Sequence, residues 1–212
     1  MLYSFPRVHR PRVMRQGHLS RYMIPASHSF RVHKFGAASP WVDLANSEMW
    51  DGYGNLTDFL EDPQWIGDFL AFWHFRVPSP GSSEIRELRK LRKFLRGLVE
   101  KTSSGKAIDT DDVQALNTWL KVPVFRQLVE RQNGLQLECD AAQIGWPAAL
   151  ARIAASLAES LAQEPHDRLK LCANPGCLWV FVDRTKGNVR CWCSNTCGNR
   201  DRVRRSRASH KR

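Results

Sequence analysis

The sequence predicts an α+β chain, mainly α with a β-hairpin: a helical N-terminal body followed by a small C-terminal module built on cysteines. Three observations carry this. Apolar residues recur at the helical period in four stretches between Asp62 and Gln163. One Asn-Gly pair, Asn133-Gly134, separates two β-prone runs. Five of the six cysteines follow residue 171, and four of them form two close pairs.

The body is expected over residues 29–165. Trp41-Val-Asp-Leu-Ala-Asn46-Ser47 reads as a helix start, with Asp43 and Asn46 satisfying backbone groups. Asp62-Pro63 opens the next helix as cap and first-turn proline, with Ile66, Phe69, Leu70 and Trp73 as its apolar stripe. After the Pro78–Gly81 loop, Ser82 or Ser83 starts a helix that turns Ile85, Leu88, Leu91, Leu95 and Leu98 inward. Its other face carries Arg86, Arg89, Lys90, Arg92, Lys93 and Arg96, which reads as a solvated face offset by nearby acids. Thr110 caps a third helix lined by Val113, Leu116 and Leu120, with acids in its first turn. Val124–Arg131 and Leu135–Cys139 flank Asn133-Gly134, the preferred residues of a type I′ turn, and Cys139 alternates with apolar neighbours as a buried strand residue. Pro147 opens a fourth helix whose stripe is Leu150, Ile153, Ala154, Leu157 and Leu161. Gln163–Asp167, with Pro165, is the linker to the terminal module, 168–212.

In that module the cysteines read Cys172-x4-Cys177-x15-Cys193-x3-Cys197. Two short-spaced pairs separated by about fifteen residues have the spacing of a structural Zn²⁺ site, and thiolate is a donor that suits this ion. Cys191, two residues before Cys193, is a rival ligand. Disulfides would need an oxidising compartment, of which the sequence gives no sign. Leu178–Asp183 reads as a strand, Thr185–Asn188 as a turn and Val189–Cys193 as the returning strand. Ser194 or Asn195 then caps a helix carrying Cys197 in its first turn. A knuckle, a hairpin and a helix around one ion make a treble-clef-like zinc finger.

The run Trp192-Cys193-Ser194 through Cys197-Gly198-Asn199-Arg200 resembles the CGNR zinc-finger family, as do Arg168–Cys177, the aromatic strand and Asp183. The chain departs from the family pattern in two ways: the second cysteine pair is one residue closer than usual, and Cys191 stands where arginine is usual. The motif places the ligand after the tryptophan, which favours Cys193 over Cys191. Trp41–Ser47 resembles the "LDxxNT" run of the ABATE domain that accompanies these fingers, with Ser47 in place of threonine. The resemblance spans roughly residues 30 to 210. It implies a bacterial, cytoplasmic, nucleoid-associated transcription regulator induced by stress. In that reading the finger binds double-stranded DNA and Asp43 and Asn46 form a small-ligand or interdomain site. A small-molecule effector of the body and a homodimer are further partners it admits.

Charge is placed unevenly in this chain of net +11. Residues 1–28 hold five arginines and no acid, and are expected to be a disordered extension, with Met14 or Met23 as alternative starts. Residues 29–167 hold 15 basic and 19 acidic residues, whereas 168–212 hold 12 basic and two acidic. A single-sign field on a small module points to a polyanionic partner. Arg200, Arg204 and Arg207 share one helical face, Arg202 and Arg205 flank it, and Lys186 and Arg190 extend the charge. The alternative is a protein-interaction module whose basic helix docks on an acidic partner or on the acidic body. No enzyme is expected: four thiolates close the zinc shell, no His-x-Glu accompanies them, and His74 reads as a packed residue. No apolar run approaches the ~20 residues of a membrane helix.

Overall fold

The architecture is that of a computed structural model describing residues 39–50, 56–131, 134–141, 145–163 and 165–210. The expectations for residues 1–28 lie outside these. The elements run α1 (Pro40–Ala45), β1 (Glu48–Trp50), β2 (Leu56–Asp58), α2 (Pro63–Phe72), α3 (Ser82–Ser103), α4 (Thr110–Trp119), β3 (Val124–Arg131), β4 (Gly134–Ala141), α5 (Trp146–Gln163), β5 (Leu169–Leu171), β6 (Val180–Val182) and α6 (Asn195–Ser209). The strands pair as three antiparallel hairpins, β1–β2, β3–β4 and β5–β6, so the chain is mainly helical with small strand pairs.

Local chemistry fixes the helix starts. The Asp62 carboxylate accepts from the Gln64 amide at 2.9 Å, with Pro63 in the first turn of α2. At α3 the Glu84 carboxylate reaches back to the Gly81 amide at 2.8 Å. At α4, Asp109 and Asp112 each accept from the other's amide at 3.0 Å, so the cap is Asp109, one residue before the expected Thr110. The α4 stripe is also narrower than its sequence period suggests: Leu116 is buried, while Val113 is 48% exposed. In the β3–β4 hairpin Gly134 pairs with Arg131. Gly134 therefore belongs to the strand rather than the turn, at φ 107°, a backbone angle suited to glycine. Residue 133 and the side chain of Cys139 lie outside the described residues.

Helix α3 is the axis of the core. Its Leu88, Leu91, Leu95 and Leu98 are buried where α3 packs on α1, α5 and β5, elements whose own buried residues include Trp41, Leu44, Ile153 and Leu157. Burying one such side chain contributes roughly 1.5–3 kcal/mol. Phe59, Trp65, Phe69 and Phe75 form a continuous aromatic row with centroid spacings of 5.8, 5.4 and 5.8 Å. His74 is not packed there. It ends α2 at φ 54° and is exposed, and its carbonyl accepts from Arg152.

The polar face of α3 is not uniformly solvated either. Arg92 is buried and grips Asp58 with both guanidinium nitrogens, at 2.6 and 3.1 Å. Burial raises the Asp58 pKa, but Arg92, the Leu60 amide and Arg89 outweigh it and hold the carboxyl below its ordinary value. Arg92 also donates to Ser47 Oγ at 3.0 Å, joining α3 to the end of α1. Arg96, one turn on, faces the C-terminal module.

Candidate metal centre and nucleic-acid interface

In the C-terminal module, β6 pairs with β5, Leu169 opposite Val182 and Leu171 opposite Val180. This corrects the expected hairpin: Val189–Cys193 is not a strand. That segment runs irregularly because it serves as a strap. The Arg190 amide donates to Asp183 Oδ2 at 2.8 Å, and the Cys191 carbonyl accepts from the Ala173 amide at 2.8 Å. Asp183 anchors the strap. Fully buried, it takes Lys170 Nζ at 2.8 Å, the Thr185 amide at 2.9 Å and the Thr185 hydroxyl at 2.6 Å. Burial pushes its pKa up, yet the Lys170 ammonium and these donors hold the carboxyl well below the usual carboxylate range.

The knuckle and the start of α6 bring the ligand sulfurs of Cys172, Cys177, Cys193 and Cys197 within 4.8 Å of one another. Cys172, Cys177 and Cys197 are buried and Cys193 is half-buried, with Trp179 and Trp192 packed against the cluster. Cys177–Cys193 and Cys193–Cys197 sulfur distances are 3.7 and 3.8 Å. A tetrahedron with Zn–S bonds of about 2.3 Å has edges of about 3.8 Å, so the donor set fits Zn²⁺ in both chemistry and size. Backbone amides point at the sulfurs: Trp179 N donates to Cys177 at 3.4 Å and Cys193 N to Cys172 at 3.5 Å. The Cys177 and Cys193 thiols lower the Cys172 pKa to about 6, although Cys197 and burial oppose this. Cys191 is exposed and bonds the Val189 carbonyl at 3.4 Å, outside the cluster.

Ser194 caps α6, and its hydroxyl accepts from the Cys197 amide at 3.4 Å. Gly198 lies under the Trp192 ring. A Cβ there would meet the ring at 3.4 Å, ordinary van der Waals contact, so the ring packs on the first turn of α6 with room for a methyl group. Asn199 accepts from Arg202 at 3.0 Å. An open depression of about 450 Å³ beside this turn is lined by Cys191, Trp192, Asn195, Gly198, Asn199 and Arg202.

The expected cationic residues fall into distinct settings. Arg190 is committed to the module itself. It donates to the Trp192 carbonyl at 2.8 Å and to the Cys193 carbonyl, with its guanidinium 5.1 Å from the Phe181 ring centroid. Arg204 and Arg205 straddle the buried Asp201 at 2.6 and 2.7 Å, yet their side chains stay 61% and 73% exposed. Arg202 and Arg207 are exposed on α6, Lys186 is exposed on the preceding turn and Arg200 is half-buried.

As expected, a helix starts here: Asp43 lies in the first turn of the short α1 and Asn46 is its C-cap. Asp43 is buried and accepts from Trp73 Nε1 at 2.8 Å. The buried Asn46 amide reads the backbone of β6: Nδ2 donates to the Val180 carbonyl and Oδ1 accepts from the Val180 amide, both at 2.9 Å. Ser103, at the end of α3, does the same for β5. Its hydroxyl donates to the Leu169 carbonyl at 3.2 Å and accepts from the Leu171 amide at 3.1 Å. Sequence reasoning did not single out Ser103, nor the role of Arg96, whose guanidinium donates to the Ala45 and Leu178 carbonyls, both at 2.9 Å.

A helical body joined by polar side chains to a four-cysteine knuckle and an arginine-rich helix is the architecture of a protein that carries a small metal-binding module. Two family models agree with it. The ABATE model, described as "Putative stress-induced transcription regulator", matches residues 38–164, and the CGNR zinc finger matches residues 168–210. The chain belongs to the ABATE family and ends in a CGNR zinc finger. No curated protein matches it.

Proposed function

We propose that the chain is a zinc-loaded transcription regulator that binds duplex DNA through α6, with the body as its sensory or interaction part. The observation that carries this reading is the setting of α6. Its first turn is tethered by Cys197 and the Ser194 cap, while its later turns present Arg202, Arg204, Arg205 and Arg207 to solvent. A helix that is polar all round needs a reason to be held rigidly away from the core. Arginine suits that role, through bidentate contacts with guanine edges or phosphate oxygens. Arg204 and Arg205 pair with the buried Asp201 through Nη2 and Nε, and their largely exposed guanidinium groups keep further donors for phosphate. Lys186 lies on the module's surface, whereas Arg190 supports the knuckle and contributes to binding only through it. The protein acts by binding rather than catalysis, because four thiolates fill a tetrahedral zinc shell and leave no position for water. It works in the cytoplasm, on the nucleoid.

The test is the double variant Arg204→Ala/Arg207→Ala, assayed by fluorescence anisotropy with a labelled mixed-sequence duplex. Weaker DNA binding with zinc content and helical dichroism unchanged is the expected result. Undiminished binding would shift the reading to a protein-interaction module.

A further inference from the structure

We infer that Arg96 of α3 is a supporting residue of the metal centre, supplied by the body: it holds the knuckle in its strained conformation and offsets the negative charge of the thiolate set. The inference rests on the reading that the four cysteines hold zinc.

The knuckle turns sharply after its second cysteine, so that the Trp179 amide points back at Cys177 sulfur at 3.4 Å. The residue at that turn is Leu178, at φ 52°. Glycine adopts this left-handed conformation freely, whereas a residue with a Cβ is destabilised in it. The Leu178 carbonyl is held by Arg96 Nη2, while Nη1 of the same guanidinium holds the Ala45 carbonyl at the end of α1, both at 2.9 Å. One planar fork thus ties the body to the residue next to a ligand. Fork geometry is a property of arginine that lysine lacks.

Charge points the same way. Four thiolates around one Zn²⁺ leave two negative charges in a cluster whose Cys172, Cys177 and Cys197 are buried. Arg96 lies on the Cys177 side and Arg190, through the Cys193 carbonyl, on the other. Burial lowers the Arg96 pKa, while Glu100, Glu48 and Cys177 favour its charged form. A half-buried cation beside a buried anionic cluster offsets part of its charge. Zinc affinity then depends on how α1 and α3 sit, so a change in the body is felt at the metal.

The experiment is competition for zinc between the full-length chain and a chromogenic chelator, with the cobalt(II) spectrum as a second readout of four-sulfur coordination. Arg96→Met should bind zinc about tenfold more weakly or worse, as loss of a charged hydrogen bond implies. Arg96→Lys should recover part of the loss. Ser103→Ala, which loosens the same joint at β5 without touching the knuckle, should stay within about threefold of the parent. Parent-like affinity in Arg96→Met, or an equal loss in Ser103→Ala, overturns the inference. Should Arg96→Met fail to fold, Leu178→Gly decides: relief of the left-handed strain should tighten zinc binding about fivefold or more. Unchanged or weaker binding in Leu178→Gly counts against the proposal. A parent chain that binds no zinc removes the zinc reading and this one together.

Discussion

Replacing Asn46 by Ala should do damage out of proportion to its size. The side chain makes a two-way amide pair with the Val180 backbone, at 2.9 Å in each direction. Asn46 is 3% exposed and Val180 1%, so water has little access to replace the lost bonds. The substitution leaves one amide and one carbonyl of β6 buried and unpaired. Each such group costs about 1–3 kcal/mol, for a total of about 2–6 kcal/mol. Against a typical stability of about 5–15 kcal/mol this is a large fraction. Urea unfolding of the zinc-loaded chain, followed by far-UV dichroism, reads it as a fall in midpoint at constant slope. Asn46→Asp should be at least as damaging, because its carboxylate accepts from the Val180 amide but repels the Val180 carbonyl. A loss below about 0.5 kcal/mol in Asn46→Ala, the range of ordinary surface changes, would refute the claim that this amide joins the body to the finger.

Other outcomes follow from the same geometry. Cys191→Ser should retain one zinc per chain by elemental analysis and Cys193→Ser should lose it, since Cys191 lies outside the sulfur cluster. Removing zinc with a strong chelator should collapse the finger while α2 and α5 keep most of their helical signal, because they pack within the body, whereas α3, which also packs on β5, should lose more. Asp183→Asn should destabilise the zinc-loaded chain at neutral pH. The Asp183 pKa is depressed on folding, so its contribution is present above the ordinary carboxylate range and is lost as pH falls toward the folded value. The stability gap between parent and variant should therefore narrow below about pH 5, and a gap that widens on acidification would contradict the assignment. Gly198→Ala should be neutral or stabilise the chain by up to about 1 kcal/mol in urea unfolding, because the new Cβ makes ordinary van der Waals contact with the Trp192 ring at 3.4 Å and alanine suits α6 better than glycine.

The elements the sequence made legible are those whose signal is local. The cysteine spacing picked out the four sulfurs that come together, Asp62-Pro63 the start of α2, and the leucine period of α3 its buried face. What it hid depends on tertiary partners. Arg92 and Arg96 look like two more cations on a solvated face, and only Asp58, Ala45 and Leu178 brought alongside show that they turn inward. Val189–Cys193 has strand-like composition, but β6 takes Leu169–Leu171 as its partner and the buried Asp183 carboxylate holds the later segment as a strap. Asn46 carried a visible motif without a visible purpose, since its partner lies 134 residues away. The two modules are separable in sequence at Pro165, yet Leu169 and Val180 of the finger are buried on the body, which no local pattern announces.

The most direct test of the central claim is the salt dependence of duplex DNA binding by the zinc-loaded, full-length chain. If about five phosphates are neutralised by α6 and the turn carrying Lys186, log K should fall linearly with log salt with a slope of about −4 to −5. A slope near zero, or no measurable binding at low salt, would contradict the assignment of α6 as a DNA-binding helix.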